Sequence, residues 1–292
     1  MTRYFWSVFF MIGLLSATAW GNDLKDVQTR GVLRHLGIPY ANFVTGSGDG
    51  LDMEIIRRFA KSLGVAYQFV PTTWTDSIGD LTGRKTDDKT SVPIKGDILA
   101  SGITILDWRK NHMRFSIPVF PSQVWLVARA DADVSPIVPG NSLEQDIKQV
   151  MGLIEDKEVL GLAQTCLDPA LYGLDKTGAR LRYFKGRLNE IAPALVNNDA
   201  SLALLDVPDA LLALEKWPGQ LKIIGPVSGP QKMAAAFRRS SPELTLAFNR
   251  FFIELWESGV YQSLVEIYYP VFPGYFPEFF SKDPGTSSGE NE

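Results

Sequence analysis

The apolar positions of residues 32–105 alternate between the period of strands and the period of helices. Four apolar side chains of residues 51–64 share one face of a predicted helix, and Gly64 is its expected C-terminal stop. Strands are predicted at 32–38, 65–70 and 96–105, a second helix at about 75–81, and an exposed polar excursion at 83–96. The order β-α-β-α-β predicts a parallel sheet with right-handed crossovers.

A second series of strand and helix patterns begins near Ser122. Its strands are predicted at 124–130, 158–163, 181–186, 201–206, 221–225 and 233–239. Its helices are predicted at 142–155, after an N-cap at Asp168, at 187–198 and at 208–217. Two further helices over 242–269 are separated near Gly259. The pattern therefore predicts a second α/β unit and a closing helical pair.

The first 21 residues have the features of a secretory signal peptide. Arg3 precedes an apolar run over residues 5–15, and small residues follow up to Gly21. The run is shorter than the ~20 residues that a membrane-spanning helix needs. We therefore expect an exported mature protein that starts near Asn22 and, in a bacterium, resides in the periplasm.

Composition limits the possible functions further. With 292 residues, of which 45% are hydrophobic, the chain has enough length for two cores. The formal net charge of −4 gives no reason to expect binding to nucleic acid or anionic lipid. Cys166 is the only cysteine and there are two histidines, which excludes an intramolecular disulfide and does not favour a zinc site. No metal or cofactor is expected.

Candidate chemistry lies at the end of the strand predicted over 96–105. Small residues at Ser101 and Gly102 allow a ligand to approach the backbone, and Thr104 adds a hydroxyl on the same side as Gly102. Arg109 supplies a planar guanidinium suited to a carboxylate. These four residues make a plausible carboxylate pocket.

The residues alone favour another role for Arg109, because an arginine after a strand is usually solvated or structurally paired. Asp97 and Asp107 are the candidate partners.

Four segments resemble the bacterial solute-binding proteins of the amino-acid type, family 3. ASGITILDWRKNHMRFSIPVF matches the family's Gly-x-Thr-x-x-x-x-Arg stretch and the Phe-Ser-x-Pro that follows it. The others are GVLRHLGIPYANF, GLDMEIIRRFAKSLGVAYQFVPTTW and ESGVYQSLVEIYY, which resemble the opening strand, the first helix with the second strand, and the closing helix. The match runs from about Leu24 to Tyr269.

The resemblance implies an α/β fold of two lobes, the type II periplasmic-binding-protein or Venus-flytrap fold, with parallel or mixed sheets and two hinge crossovers. Residues 22–122 and 231–270 would form the first lobe, and 123–230 the second. The crossovers would fall near 122–124 and 227–231, with the ligand in the cleft between the lobes. Residues 271–292 would be a tail, aromatic at first and then disordered.

The resemblance also assigns roles to individual residues. Arg109 and Thr104 match the residues that hold the α-carboxylate of an amino acid, and Ser101 and Gly102 match positions that join them.

Three further residues complete the implied site. Tyr40 matches an aromatic after the first strand, Trp74 the aromatic that stacks on the ligand, and Asp206 the second-lobe carboxylate that takes the α-amino group. A zwitterion would then bridge the lobes only when the cleft is closed. Spacing alone favours Tyr40 and Trp74 as ordinary half-buried aromatics, and it makes Asp206 a natural helix cap as well.

Some positions depart from the family pattern. Gly37 stands where many members have an acid aimed at the ligand's amine. Cys166 and Leu167 stand beside Thr165 where a Gly-Thr/Ser-Thr sequence is usual. They make the pocket less polar, which favours an apolar or aromatic amino acid or a related small organic acid. Cys166 itself is expected to behave as a small buried apolar residue rather than as a nucleophile.

The leading hypothesis is a monomeric periplasmic receptor, not an enzyme, that delivers a small carboxylate-bearing solute to an ABC transporter permease. One alternative is a cyclohexadienyl-type dehydratase on the same fold, in which Asp206 would donate a proton. Another is a ligand sensor that acts through a separate partner.

Overall fold

The computed structural model describes residues 23–87, 89–282 and 284–285. The predicted signal peptide and most of the predicted disordered tail lie outside these residues. None of the helices within the described ranges has the length and apolarity needed to cross a membrane.

The first half of the chain forms the expected α/β series. Its elements are α1 (Asp23–Arg30), β1 (Val32–Gly37), α2 (Leu51–Ser62), β2 (Ala66–Pro71), α3 (Ser77–Thr82), β3 (Ile98–Leu99), α4 (Asp107–Lys110), β4 (Met113–Phe115) and β5 (Phe120–Ser122). Strands β2 and β3 both pair with β1 in parallel, as the alternating pattern predicts. The apolar face of α2 is buried, with Ile55, Ile56 and Phe59 almost fully inaccessible.

The middle of the chain forms a second sheet. Its elements are β6 (Val124–Arg129), α5 (Leu143–Gly152), β7 (Glu158–Gly161), β8 (Arg180–Tyr183), α6 (Ile191–Val196), β9 (Leu202–Asp206), α7 (Val207–Lys216) and β10 (Leu221–Pro226). The strand order is β10-β6-β9-β7-β8. Strand β7 is parallel to both β8 and β9, whereas β6 is antiparallel to both β9 and β10. The sheet is therefore mixed.

The chain then returns to the first sheet. The remaining elements are β11 (Gln231–Met233), β12 (Ala236–Arg238), α8 (Pro242–Glu257), α9 (Val260–Tyr268), α10 (Phe272–Tyr275) and α11 (Pro277–Ser281). Strand β12 lies between β3 and β4, giving the order β2-β1-β3-β12-β4. Strands β5 and β11 form a separate antiparallel pair between the two sheets. We call this pair the hinge strands. The lobe boundaries at residues 122 and 230 stay predictions.

Three elements differ from the sequence prediction. Residues 233–239 form two strands rather than one, because the chain passes from the hinge strands to the first sheet at Ala234 and Ala235. The predicted strand over 96–105 shortens to β3, since Gly102 turns the chain at a φ of 61°. The segment after Asp168 is a 3₁₀ turn, although Asp168 caps it through the Ala170 amide as expected.

Candidate functional site

Arg109 lies on the short helix α4 in the cleft between the two sheets. Its side chain is buried, and Nη1 donates to the Thr104 carbonyl at 3.0 Å. Nη2 donates to the Gln164 carbonyl, 3.4 Å away in the loop after β7 of the second lobe. The guanidinium therefore contacts both lobes.

The two acids suggested as structural partners of Arg109 form ion pairs with other residues. Asp107 pairs with Lys110 at 3.0 Å. Asp97 is fully buried among three other arginines, Arg30, Arg34 and Arg238. No carboxylate in the described part of the chain pairs with Arg109. The ion-pair interpretation, which the residues alone favoured, is wrong for these partners.

Aromatic rings enclose the Arg109 guanidinium. Its central carbon lies 5.8 Å from the Trp74 ring centroid and 5.2 Å from that of Trp108. Trp74 in turn packs edge-on against Tyr40 at 5.7 Å. Burial lowers the pKa of Arg109. Carbonyl dipoles and ring faces thus contact the cation.

Thr104 and Cys166 face the cleft from opposite lobes. The Thr104 hydroxyl is buried, lies beside the Cys166 thiol, and lacks a partner with good hydrogen-bond geometry among the described residues. The Cys166 sulfur lies 3.7 Å from Oδ2 of Asp206. Burial, reinforced by the charge of Asp206, raises the pKa of Cys166 to about 12. The thiol is therefore protonated at neutral pH, which does not fit a nucleophile.

Asp206 ends β9 and begins α7. Its Oδ1 accepts from the Asp209 amide at 3.1 Å, so it is the helix cap that its position suggested. Oδ2 points toward Cys166. Burial raises the pKa of Asp206 to about 6, although the Tyr40 hydroxyl and the cap hydrogen bond oppose the shift. One oxygen of the fully buried carboxyl therefore caps α7, and the other oxygen faces the cleft.

Tyr40 meets Asp206 across the cleft. Its ring is buried and stacks on Phe43 at 6.1 Å. Burial first, and then the charge of Asp206, raise the pKa of Tyr40. Its hydroxyl lacks a partner with good hydrogen-bond geometry within the described ranges.

The other predicted site residues support the cleft from behind. The Ser101 hydroxyl accepts from the Ile38 amide at 2.8 Å, and the Gly102 amide donates to Asp52 at 2.7 Å. The Leu167 side chain is fully buried and its amide donates to the Thr165 hydroxyl at 3.0 Å. Ligand-binding roles for Ser101, Gly102 and Leu167 stay predictions.

The structure adds residues that the sequence did not indicate. The Tyr172 hydroxyl donates to the Cys166 carbonyl and accepts from Gln231 of β11 at 2.9 Å. Asn189 of the second lobe donates to the Pro39 carbonyl at 2.9 Å and accepts from the Ala41 amide at 3.3 Å. Apart from the bond between Tyr172 and Cys166, these contacts join segments far apart in the chain, and no local pattern predicts them.

Within the described ranges, no group of three or more His, Cys, Asp or Glu side chains could hold a metal ion. The residues described above bring together a buried cation, a buried carboxyl, a thiol, hydroxyl groups and aromatic rings.

Comparison with known proteins gives the family. The model of the bacterial extracellular solute-binding proteins, family 3, matches residues 37–271. The chain belongs to this family. Its members are extracellular or periplasmic and bind small molecules. The resemblance inferred from the four sequence segments is confirmed.

Individual relatives agree with the family. The L-cystine-binding protein TcyJ of Escherichia coli (strain K12) is 25% identical over 231 residues, which cover 76% of this chain and 74% of the relative. A mutant of ArgBP from T. maritima superposes with a TM-score of 0.67 at 24% identity, over 85% of this chain and 99% of that one. AncCDT-1, an ancestral amino acid-binding protein and precursor of cyclohexadienyl dehydratase, gives 0.65 at 22% identity, over 84% and 98%. The fold is thus the two-lobe fold that the resemblance implies.

Proposed function

We propose that this protein is a periplasmic receptor that closes on an amino acid or a related organic acid and delivers it to an ABC transporter. The observation that carries the proposal is the buried Arg109, which spans the cleft and pairs with no carboxylate of the described residues. Membership of a solute-binding family supports it.

The cation favours a ligand that brings a carboxylate. A buried charge is costly unless it is paired, and a planar guanidinium pairs best with a carboxylate through two parallel hydrogen bonds. The neighbouring Thr104 hydroxyl is also buried and has no hydrogen bond of good geometry within the described chain, so it can donate to the same group. Arg109 and Thr104 are therefore the proposed carboxylate anchors.

The opposite lobe offers a place for an amine. Asp206 is an acid whose pKa is raised to about 6 by burial, and an ammonium group beside it would favour its ionised form. The Tyr40 hydroxyl, which lies across the cleft from Asp206, can accept from the same ammonium. A zwitterion bound between Arg109 and Asp206 would hold the two lobes together.

The residues that line the cleft favour a ligand with a neutral side chain. A Cβ atom at position 37 would lie 2.2 Å from the Phe69 ring, so the aromatic ring fills the space near the position where many relatives carry an acid. The small cavity beside Arg109 is lined by apolar residues such as Ile103 and Trp108 and by neutral polar ones such as Ser77, and among the described residues Arg109 is the only charged one of its lining. We therefore propose an apolar or aromatic ligand side chain rather than a cationic one.

A thermal-shift screen of the refolded mature protein against amino acids and small carboxylates tests this proposal. A ligand at about a hundred times its dissociation constant adds ~2.7 kcal/mol and raises the melting temperature. We expect the shift in the wild type, its loss in Arg109→Ala, and its retention in Arg180→Ala, which removes an exposed arginine of the second lobe. An equal shift in Arg109→Ala would refute the anchor, and no shift with any compound would refute the receptor for that ligand class.

The buried Asp206 keeps the dehydratase as a second candidate. An acid with a pKa of about 6 is suited to proton donation near neutral pH. Incubation with prephenate or arogenate distinguishes the two functions. We expect no product; turnover that Asp206→Asn abolishes would favour the enzyme instead.

A further inference from the structure

The C-terminal helices α10 and α11 lie across the hinge strands. Both follow the end of the family match at residue 271, so the family model does not account for them. We call residues 272–281 the strap.

One side of the strap is anchored in the aromatic core. Phe272 is fully buried, with its ring centroid 4.6 Å from that of Phe120 on β5. Phe280 reaches the same ring at 5.9 Å, and Phe279 packs edge-on against Trp256 of α8 at 5.9 Å. Since Phe120 belongs to the hinge strands and Trp256 to the first lobe, this side of the strap is fixed to the first lobe and the hinge.

The other side of the strap contacts the second sheet. Tyr275 packs against Trp125 of β6, with ring centroids 6.0 Å apart and planes tilted by 57°. The Trp125 indole donates to Gln123 at 2.9 Å, which fixes the ring on its strand. A mainly apolar groove beside this contact is lined by hinge, second-lobe and strap residues, including Pro121, Leu143, Pro230 and Phe276. None of the nine predicted site residues lines it.

The same rings lead to the ligand cleft. Phe120 packs edge-on against Phe43 at 5.2 Å, Phe43 stacks on Tyr40 at 6.1 Å, and Tyr40 contacts Trp74 at 5.7 Å. Packed aromatic rings therefore connect the strap with the proposed site.

The geometry points to a role for the strap as a tie between the lobes that stabilises the closed cleft before any ligand binds. The contacts between Arg109 and Gln164 and between Asn189 and Pro39 show that the cleft is closed in this structure. The pair Tyr275–Trp125 is present in the same closed arrangement. The two rings lie on opposite sides of the hinge crossover near 122–124, so opening of the hinge changes how they pack.

Double electron–electron resonance on the ligand-free mature protein tests the strap directly. Spin labels go on cysteines introduced at Lys61 of α2 and Lys148 of α5, which are both exposed, whereas the native Cys166 is buried. An aromatic pair changes an equilibrium about 2- to 10-fold. We expect Tyr275→Ala and Trp125→Ala to raise the ratio of long to short label distances by such a factor.

Tyr183→Ala is the matched control, because it removes a comparably exposed tyrosine within the second lobe. Its distance distribution should equal that of the parent. The proposed role of the strap is refuted if Tyr275→Ala leaves the label-distance distribution unchanged, or if Tyr183→Ala shifts that distribution equally. Since no ligand is added, this result stands whether or not the receptor proposal does.

Discussion

A single buried carboxylate positions the backbone turn behind the proposed site. Asp52 lies in the first turn of α2 and accepts from the Gly102 amide at 2.7 Å. A Cβ at Gly102 would lie 2.5 Å from the Phe43 ring, so the turn also needs glycine for space. Asp52 therefore acts on the site through Gly102, two residues before Thr104.

Asp52 makes stability depend on pH. Burial raises its pKa to about 7, despite the hydrogen bond from Gly102. A carboxyl whose pKa is higher in the folded than in the unfolded state stabilises the fold at low pH, and that stability declines from about pH 4 to about pH 7. Asp52→Asn removes this decline while keeping an acceptor for Gly102.

We expect the melting temperature of Asp52→Asn to exceed that of the wild type at about pH 8, and the difference to vanish near pH 4. The gain has an upper limit of about 4 kcal/mol. Thermal unfolding at three pH values measures it. A variant that is destabilised by the same amount at every pH would show that Asp52 is ionised in the fold.

Asp206, at the junction of β9 and α7, has two structural roles. Asp206 caps the helix through Oδ1 and turns Oδ2 to the cleft. The two candidate interpretations of Asp206, as helix cap and as cleft acid, are therefore compatible, because a carboxylate has two oxygens.

Two substitutions separate these tasks. Asp206→Asn keeps a capping oxygen and removes the charge, whereas Asp206→Ala removes both. We expect the alanine variant to be about 1 kcal/mol less stable than the asparagine variant, as measured by urea unfolding. Both should lose affinity for an amino acid, as measured by calorimetry. Unchanged affinity in Asp206→Asn would mean that the amine is bound elsewhere.

Most elements could be predicted from the sequence because their apolar periodicity is strong, as in α2 and in the strands β1, β2 and β6. The elements that the sequence did not predict are short, and their conformation depends on contacts with residues far away in the chain. Asp52 and Phe43 shape the turn at Gly102, and they are 50 or more residues away from it. The contact of Gln164 with Arg109 was unpredictable for the same reason, since the two residues meet only in the folded chain. Tyr40, Trp74 and Asp206 were indicated only by family resemblance.

Closure of the whole molecule depends on a few contacts between the lobes. Asn189 makes two of them, to Pro39 and Ala41 next to Tyr40. A hydrogen bond between neutral groups contributes about 0.5–1.5 kcal/mol. Asn189 does not line the cavity beside Arg109.

We expect Asn189→Ala to weaken ligand affinity about 2- to 10-fold by favouring the open form. Calorimetric titration with the ligand found in the screen measures this, and small-angle scattering should show a larger radius of gyration without ligand. Asn141→Ala, a change at an exposed position of the second lobe, serves as control. Equal weakening in both variants would contradict the role of Asn189 in closure.

The place of β12 in the first sheet has a consequence for the order of folding. This strand lies between β3 and β4, although more than 120 residues separate it from β4 in the chain. Every strand of the second sheet, in contrast, comes from the continuous stretch 124–226. As the chain emerges from a ribosome or a translocation channel, the second sheet has all its strands before the first sheet does. The lobe that begins the sequence is therefore completed last.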